Sequence, residues 1–469
     1  MEILIKFIYL ISAIFFIFGI KFLAKVKTAR RGNRFAAFGM FLSVLATLIK
    51  MNFIEGSIGI STIIAGIVVG GFIGLIVSRT VKMTAMPELV AVFNGVGGGA
   101  SVLVALSYVF SNQGQNFNLI NSITVAFSVL IGVVTFSGSI IAFSKLKGLI
   151  KGEPILFTFS HFLNLVLLLG SVYFLYMGIT GSLNGINDQA IQYFLIGGGI
   201  ALVLGVLLVT PIGGADMPVV ISLLNSYSGL AAAATGFVLG NLVLVVSGAL
   251  VGASGIILTK IMCKAMNRSL TNVLFGGFGG PSEQESQEAG EYQGVKSTGA
   301  EEVAMMVDSA DSIIIVPGYG LAVAQAQHAI RELVDELEKK GKKVQFAIHP
   351  VAGRMPGHMN VLLAEANIDY DKLKDLDQIN SEFKNTDLVY VIGANDVVNP
   401  AAINDPKSPI FGMPILKVFE AATVINVKRS LSPGFANIKN PLFEQDNSLM
   451  FFEDAKKATE DIVKELREG

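Results

Sequence analysis

The sequence predicts a polytopic α-helical membrane domain followed by a soluble α/β domain with a parallel sheet. Hydrophobic residues make up 52% of the 469 residues and charged residues only 15%, a balance too apolar for an ordinary soluble protein. The excess lies before about residue 275, and the remainder has the composition of a soluble domain. After about residue 300, apolar strands alternate with helices, which is the pattern of a parallel sheet covered on both faces.

The N-terminal part contains about nine transmembrane helices, predicted from apolar runs of roughly the 20 residues that such a helix needs. The first run lacks the charged lead and cleavage site of a signal peptide, so we expect it to be retained as a span. Glycine runs such as Gly97–Gly99 favour close packing of helices in lipid. The predicted spans are Ile3–Leu23, Phe35–Met51, Ile58–Val77, Met86–Val109, Ile120–Phe143, Phe157–Ile179, Ala190–Thr210, Pro218–Leu239 and Leu242–Cys263.

Basic residues alternate between the loops that join these spans. The first loop, Lys25–Arg34, is strongly basic, whereas Ser111–Ser122 carries no charge. Lysine and arginine are enriched in cytoplasmic loops. With an odd number of spans, this alternation predicts that the N-terminus lies outside and that the C-terminal part lies in the cytoplasm.

Polar residues within the predicted spans form a second pattern. Asn94 and Asn225 lie on faces of small and polar residues at helical spacing, and Glu88 and Asp216 stand at the entrances of the same two spans. Amides and carboxylates are costly in lipid and are candidates for function. These faces also suit helix packing, with both asparagines as interhelical hydrogen-bonding groups, and both interpretations stay open.

Three domains are predicted: a membrane domain at residues 1–275, a flexible glycine-rich linker at residues 276–300, and a cytoplasmic domain at residues 301–469. In the cytoplasmic domain, long helices are predicted at Leu321–Lys340 and Asp454–Glu468. The predicted strands are Ser312–Val316, Lys343–Ile348, Asp387–Ile392, Ile415–Val418, Thr423–Val427 and Leu449–Glu453.

A glycine turn follows the first of these strands, with Gly318 and Gly320, and a helix follows the turn. Strand, GxG turn and helix in that order are typical of a Rossmann-like dinucleotide site. There, glycines adopt the angles of a sharp turn and let a pyrophosphate approach the backbone. The helix N-terminus would offer N–H groups and a positive dipole end to that anion. Val323 occupies the third glycine position of the usual motif, so a plain glycine turn is the alternative.

Glycine- and proline-rich loops also follow two later strands, at Val351–Gly357 and Gly393–Asn399, and the basic segment Lys428–Ser430 follows a fourth. Because parallel sheets bind ligands at the carboxyl ends of their strands, these loops predict one anion-binding crevice. Adjacent lysine and arginine suit a phosphate monoester, and the second strand ends in His349 instead of an acidic residue. Both points favour NADP over NAD, although the basic segment could also be ordinary solvated surface.

Other classes of site lack support in the sequence. The C-terminal part has no Ser–His–Asp set and no metal-ligand cluster, and the single cysteine, Cys263, lies in the last predicted span. His328 is predicted on a helix surface, and the net charge of −1 gives no indication of nucleic-acid binding. No second domain for a substrate is evident. A nucleotide bound here would therefore meet its redox partner on another chain.

Motifs along the whole chain resemble the beta subunits of proton-translocating NAD(P) transhydrogenases. They are MPELVAVFN (Met86–Asn94), GADMPVVISLLNSYSG (Gly214–Gly229), IMCKAMNRS (Ile261–Ser269), VPGYGLAVAQAQ (Val316–Gln327), HPVAGRMPGHMNVLLAEA (His349–Ala366), GANDVVNPAA (Gly393–Ala402) and DPKSPIFGMPIL (Asp405–Leu416). The resemblance implies that this chain binds NADP(H), that a partner alpha subunit binds NAD(H), and that hydride transfer is coupled to inward proton movement, which drives NADPH formation. It also implies a dimer of alpha-beta units in the bacterial inner membrane.

The same resemblance implies roles for single residues. Asn94, Asp216 and Asn225 match positions of the proton path, and the loop Asp405–Met413 would be a lid. We further predict that Asp396, near the nicotinamide end, communicates protonation to that site, with a fixed loop-capping carboxylate as its alternative role. Lysine, arginine and serine of the basic segment would hold the 2′-phosphate. The residues implied to contact NADP are Gly318, Tyr319, Gly320, Val351, Ala352, Gly353, Arg354, Met355, Pro356, Gly393, Ala394, Asn395, Asp396, Lys428, Arg429, Ser430 and Phe435.

Two positions depart from the family that the chain resembles. Some members carry histidine where this chain has Asn94, and an asparagine does not titrate at neutral pH, so here the side chain could only orient water or another donor. Phe435 stands where a tyrosine is common, which removes a hydroxyl from the nucleotide site. The family also holds its nucleotide in a reversed orientation, so the missing acidic residue argues less directly for NADP.

Two functions of different classes are compatible with the sequence. The first is proton translocation coupled to hydride transfer between NAD(H) and NADP(H). The second is a transporter or channel gated by an NADP(H)-sensing cytoplasmic domain, which the missing substrate pocket supports. A reductase merely tethered to the membrane would need one span, and the predicted spans exceed that need.

Overall fold

A computed structural model describes the chain except residues 1, 24–25, 51–56, 82–84, 153, 156–158, 268, 275–291, 356 and 469. The chain forms two compact units, one of Met1–Gly214 with Val220–Leu258 and the other of Ala215–Val219 with Thr259–Gly469. Most of the predicted linker lies outside the described residues.

Nine helices within the described ranges are long and apolar enough to cross a membrane, which confirms the predicted number. They give the chain the make-up of a multi-pass membrane protein. The helices are α1 (Glu2–Leu23), α2 (Val26–Lys50), α3 (Ser57–Thr80), α4 (Met86–Ser111), α5 (Leu119–Leu146), α6 (Ser160–Leu183), α7 (Asp188–Val209), α8 (Met217–Leu239) and α9 (Leu242–Ala265).

Local sequence explains where several of these helices begin. Asn118 caps α5 by accepting a hydrogen bond from Asn121 N at 2.7 Å, and Asn187 caps α7 in the same way. The prediction of a loop at Lys25–Arg34 is wrong, because α2 begins at Val26. Arginine and lysine are good helix formers, so the helix extends beyond its apolar part.

Glycine faces bring helices α8 and α9 into backbone contact. A Cβ placed on Gly248 of α9 would lie 2.5 Å from Ala233 N and 2.7 Å from Gly229 O, both on α8. One turn further along α9, Gly252 O accepts a hydrogen bond from Ser226 Oγ at 2.6 Å. Close approach and interhelical hydrogen bonds replace the hydrophobic effect, which does not drive helix association within lipid.

We therefore expect Gly248→Ala to destabilise the membrane unit by about 1–3 kcal/mol, because the new methyl group meets backbone that cannot move aside. The measurement is the thermal midpoint of the full chain in detergent. Gly66→Ala on α3 is the matched control, since a Cβ there meets nothing within 4 Å. Equal effects of the two substitutions would contradict this account of the packing.

The C-terminal unit contains a seven-stranded sheet in which every neighbouring pair is parallel, in the order β1-β7-β6-β5-β2-β3-β4. Apart from the edge strand β1, this is the doubly wound Rossmann order, which confirms the predicted fold class. The strands are β1 (Lys296–Ser297), β2 (Ser312–Pro317), β3 (Lys343–Ile348), β4 (Leu373–Asp375), β5 (Leu388–Ile392), β6 (Thr423–Lys428) and β7 (Ser448–Phe452).

Helices cover the sheet and its loops. The strands β2, β5 and β6 at the centre are almost wholly buried, as expected for a sheet covered on both faces. The helices of this unit are α10 (Leu270–Leu274), α11 (Ala300–Ser309), α12 (Tyr319–Ala324), α13 (Gln327–Lys339), α14 (His358–Glu365), α15 (Leu376–Ile379), α16 (Ala401–Asn404) and α17 (Ala455–Glu468).

Some predicted elements differ from the structure. Ile415–Val418 is not a strand, because its backbone bonds to loops: Leu416 N donates to Val397 O at 2.9 Å. The single helix predicted at Leu321–Lys340 is divided into α12 and α13 at Gln325, which has a left-handed φ of 53°. The short strands β1 and β4 were not predicted, and β1 lies within the range predicted as linker.

Candidate functional site

A cavity of about 510 Å³ lies at the carboxyl ends of the strands in the C-terminal unit. It is centred where the strand order reverses, between β2 and β5, and this is the place where doubly wound sheets bind ligands. The structure brings most of the predicted site residues together there. Those that line the cavity are Gly318, Tyr319, Gly320, Val351, Ala352, Gly353, Gly393, Ala394, Asn395, Asp396, Lys428, Arg429, Ser430 and Phe435.

The glycines at the head of the cavity pack backbone against backbone. A Cβ on Gly318 would lie 2.3 Å from Gly393 O, and Gly320 N donates to the same carbonyl at 2.8 Å. The predicted reason for Gly318 is wrong: it has extended angles that any residue could adopt. Gly393 is the residue with a left-handed φ, 66°. Contact between the two loops, not a strained turn, requires glycine at Gly318.

Aromatic and guanidinium groups stack beside these glycines. The Arg354 guanidinium lies 4.6 Å from the centroid of the Tyr319 ring, and the Tyr319 and Phe435 rings are 5.9 Å apart. Arg354 and Met355 do not line the cavity themselves, and Pro356 lies outside the described residues. Arg354 therefore contacts the cavity only through Tyr319, which lines it.

Asp396 is a buried carboxyl in the loop after β5. Its Oδ2 accepts a hydrogen bond from Ala436 N at 3.0 Å, and its Oδ1 is buried without a hydrogen-bond partner among the described residues. Burial raises the pKa of Asp396, against the opposing effects of the Ala436 N–H and the Lys428 ammonium. A Cβ on Gly434 would lie 2.4 Å from Oδ1, so a side chain there would displace the Asp396 carboxyl.

Lys428 is turned inward instead of lying on the solvated surface. Its Nζ donates to Ser432 O at 2.9 Å and lies 4.8 Å from the centroid of the Phe443 ring. Burial lowers the pKa of Lys428 to about 8, although Asp396 opposes the shift. Arg429 and Ser430, by contrast, are exposed at the cavity rim. The predicted basic segment therefore has one half-buried and one exposed cation.

Further residues line the cavity, some from the predicted lid and some that the sequence did not single out. Part of the predicted lid does so through Pro409, Ile410 and Met413. Two further groups, at residues 432–434 and 453–455, come from the loops after β6 and β7. The sequence could have indicated these two groups only through their position, since both lie just beyond the carboxyl end of a strand.

One of the polar residues predicted in the membrane makes a hydrogen bond across a helix interface. Asn94 on α4 is buried, and its Nδ2 donates to Ile221 O on α8 at 3.2 Å. Ile221 lies one turn before Asn225, which is half-buried. Asp216 immediately precedes α8 and is buried. Asn94 thus serves as an interhelical hydrogen-bonding group, and its carbonyl partner is on the helix that carries Asn225.

Two buried histidines stand at the loop after β3. His349 Nε2 lies 2.7 Å from Pro414 O, and its Nδ1 accepts a hydrogen bond from Val351 N at 3.3 Å. His358 Nδ1 accepts from Arg354 N at 3.1 Å. Burial lowers the pKa of each histidine to about 4. Neutral His349 with a proton on Nε2 therefore ties the loop after β3 to the end of the predicted lid.

This pKa predicts how acid affects stability. The folded chain binds a proton on His349 less readily than the unfolded chain, so stability falls as the pH is lowered from 6.5 towards 4. The full loss is about 3 kcal/mol for this residue. His349→Gln cannot titrate, so its thermal midpoint should fall less than the wild-type midpoint between pH 7 and pH 5. His328→Gln, at an exposed position, is the control, and parallel curves for all three proteins would contradict the prediction.

The donor set of the cavity fits a phosphorylated dinucleotide. Gly318, Gly320 and Gly393 place no side chain in the cavity, the exposed Arg429 offers a cation at the rim, and buried Asp396 Oδ1 is available to a donor. No group of three or more His, Cys, Asp or Glu side chains able to hold a metal occurs within the described ranges.

Comparison with known proteins agrees with this geometry. The family profile of the NAD(P) transhydrogenase beta subunit matches residues 5–465. A protein of Rhodospirillum rubrum named NAD(P) transhydrogenase subunit beta is 48% identical over 467 residues, which cover 98% of this chain and 98% of that protein. A second relative of the same name, from a designated strain of that species, has the same identity and coverage.

Proposed function

This chain belongs to the NAD(P) transhydrogenase beta subunit family, and we propose that it supplies the NADP(H) site and the proton path of a proton-translocating transhydrogenase. Residues 301–469 would bind NADP(H), residues 1–275 would move protons, and an alpha subunit would bind NAD(H). The observation that carries the proposal is the cavity at the reversal point of the sheet, where Gly318 and Gly320 contact Gly393.

The first contribution to nucleotide binding would come from close approach of the ligand to the backbone. The loops after β2 and β5 meet at glycines, which leave no side chain between a ligand and the backbone, so a pyrophosphate could approach closely. The N–H groups of Gly318, Gly320 and Gly393 already donate to carbonyl groups of the protein, so close approach is what these glycines would contribute. Tyr319, held by Arg354, would pack against the ligand from the side. The bound nicotinamides supply the chemistry, since a hydride leaves NADH with two electrons and reduces NADP⁺.

Selection of NADP(H) over NAD(H) would depend on the end of β6. Arg429 and Ser430 are exposed at the cavity rim, where a guanidinium and a hydroxyl can reach a phosphate monoester. Lys428 is half-buried, with its Nζ on the Phe443 ring, and would act through its charge. We therefore assign the direct 2′-phosphate contact to Arg429 and Ser430.

Proton coupling would involve Asp396 in the C-terminal unit. Its burial raises the pKa of a carboxyl that would otherwise be ionised well below neutral pH, so its protonation state can respond to nearby charge. Lys428 is the cation that acts on it, and burial lowers the pKa of that cation in turn. A change in protonation would then change the affinity for NADP(H), as coupling between the two events requires.

In the membrane, Asp216 and Asn225 would belong to the proton path, and Asn94 would position α8 through Ile221 O. The distribution of lysine and arginine supports an N-terminus outside and a C-terminal unit in the cytoplasm of a bacterial inner membrane. One proton crossing roughly 100 mV contributes about 2.3 kcal/mol, enough to shift the ratio of the nucleotides more than tenfold. A dimer of alpha-beta units completes the proposed assembly.

Arg429→Ala should weaken NADPH binding about 10- to 100-fold, because a charge-assisted hydrogen bond to the 2′-phosphate is lost. Binding is measured by titration of NADPH fluorescence with the full chain, and NADH, which lacks the 2′-phosphate, serves as the comparison ligand. Lys384→Ala removes an exposed cation away from the cavity and should bind NADPH as wild type does. Equal affinities of the two variants would remove Arg429 from the site.

Asp396→Asn should lower the rate of hydride exchange at least about tenfold, because an amide cannot take up the proton that the carboxyl exchanges. The rate is followed in the assembled alpha-beta enzyme with an NADP analogue, and thermal unfolding confirms that the fold is retained. Asp377→Asn, at an exposed position outside the cavity, is the matched control. Wild-type exchange in Asp396→Asn would exclude this carboxyl from the mechanism.

A further inference from the structure

A short segment, residues 439–444, lies between the end of the predicted linker and the loops of the nucleotide cavity. We call it the bridging segment. Lys439 and Asn440 precede a turn of 3-10 helix at Pro441–Glu444, and Asn440 caps that turn by accepting a hydrogen bond from Leu442 N. The Asn440 side chain is fully buried. Each polar group of a buried amide needs a hydrogen-bond partner, and Asn440 finds its partners on two sides of the bridging segment.

The linker contacts one side of the bridging segment. The Tyr292 hydroxyl accepts a hydrogen bond from Asn440 N at 3.0 Å, and Gln293 N donates to Glu444 Oε1 at 2.6 Å. The Tyr292 and Phe443 rings are 6.0 Å apart, and Lys439 Nζ lies 5.0 Å from the centroid of the Tyr292 ring. The first described residues of the linker are therefore docked on this segment and are not a free tether.

The nucleotide cavity contacts the other side of the same segment. Asn440 Nδ2 donates to the backbone oxygen of Asn395 at 3.2 Å and lies 2.9 Å from its side-chain amide. Asn399 Nδ2 donates to Lys439 O at 3.1 Å, and Lys428 Nζ packs on the Phe443 ring. Asn395 and Lys428 both line the cavity. Only Asn440 separates the Tyr292 hydroxyl from the loop that would bind nucleotide.

We propose that Tyr292 is a positioning residue for nucleotide binding, through which docking of the linker sets the affinity of the cavity for NADP(H). The proposal rests on the NADP(H) site proposed above. Without the Tyr292 hydroxyl, Asn440 N has lost its partner, and Asn440 can shift away from the position in which it holds Asn395. Because coupling between two binding events is reciprocal, nucleotide must in turn strengthen the docking of the linker.

The variant that tests this is Tyr292→Phe, which removes one oxygen and keeps the ring against Phe443. In the full chain we expect the Kd for NADPH to rise about 3- to 10-fold, the range expected when one hydrogen bond is lost. In the assembled enzyme kcat should stay near the wild-type value while KM for NADPH rises. A purely structural role would lower the thermal midpoint without this separation of KM from kcat.

Tyr390→Phe is the matched control. Its hydroxyl is buried and pairs with Thr459 Oγ1 at 3.2 Å, in the same unit and away from the bridging segment. It should lower stability at least as much as Tyr292→Phe and leave the Kd for NADPH unchanged. A rise in Kd of similar size in both variants would assign the effect to lost stability and would overturn the proposal.

Hydrogen exchange gives a second, independent measurement in the full chain. In the wild type, saturating NADP⁺ should slow amide exchange in residues 292–295, where Gln293 N donates to Glu444. In Tyr292→Phe, that slowing should be lost. This inference alone would be overturned if Tyr292→Phe bound NADPH with the wild-type Kd and if NADP⁺ did not change amide exchange in residues 292–295 of the wild type. A wild-type chain that binds no NADP(H) would overturn the proposed function and this inference with it.

Discussion

The contact between the backbones of Gly318 and Gly393 is the constraint on which the C-terminal unit depends. It joins the ends of β2 and β5, where the strand order reverses, and Gly320 N closes it by donating to Gly393 O at 2.8 Å. A side chain at Gly318 would overlap the Gly393 and Ala394 backbone and would separate the two loops. Because the remaining loops surround this contact, it also determines where a ligand can lie.

Burial controls the charges beside that contact. It raises the pKa of Asp396 and lowers the pKa of Lys428 to about 8, so both groups move toward their neutral forms although each favours the charged form of the other. The shift of Lys428 corresponds to about 3 kcal/mol. That is close to the roughly 2.3 kcal/mol that one proton contributes in crossing 100 mV. Changes of charge in this cavity are therefore on the energy scale that the proposed proton coupling would require.

The membrane unit depends on small residues for the same physical reason that the cavity depends on glycine. Helix α8 is the most buried of the nine helices able to cross a membrane in the described part of the chain, with 72% of the residues in its most apolar stretch buried. Its contacts with α9 are backbone to backbone at Gly229 and Gly248, and Asn94 adds a hydrogen bond to Ile221 O. A helix held so closely can keep Asp216 and Asn225 at defined positions.

The sequence by itself determined the elements that local pattern controls. Apolar length predicted the membrane helices, and glycine-rich loops after apolar strands predicted the crevice, because both signals come from neighbouring residues. The tertiary structure decided whatever depends on residues distant in the chain. Ile415–Val418 bonds to loops instead of becoming a strand, Gly318 is needed for contact with Gly393, and the Lys428 ammonium bonds to Ser432 O. The docking of Tyr292 on Asn440 joins residues 148 positions apart, and no local pattern encodes such a contact.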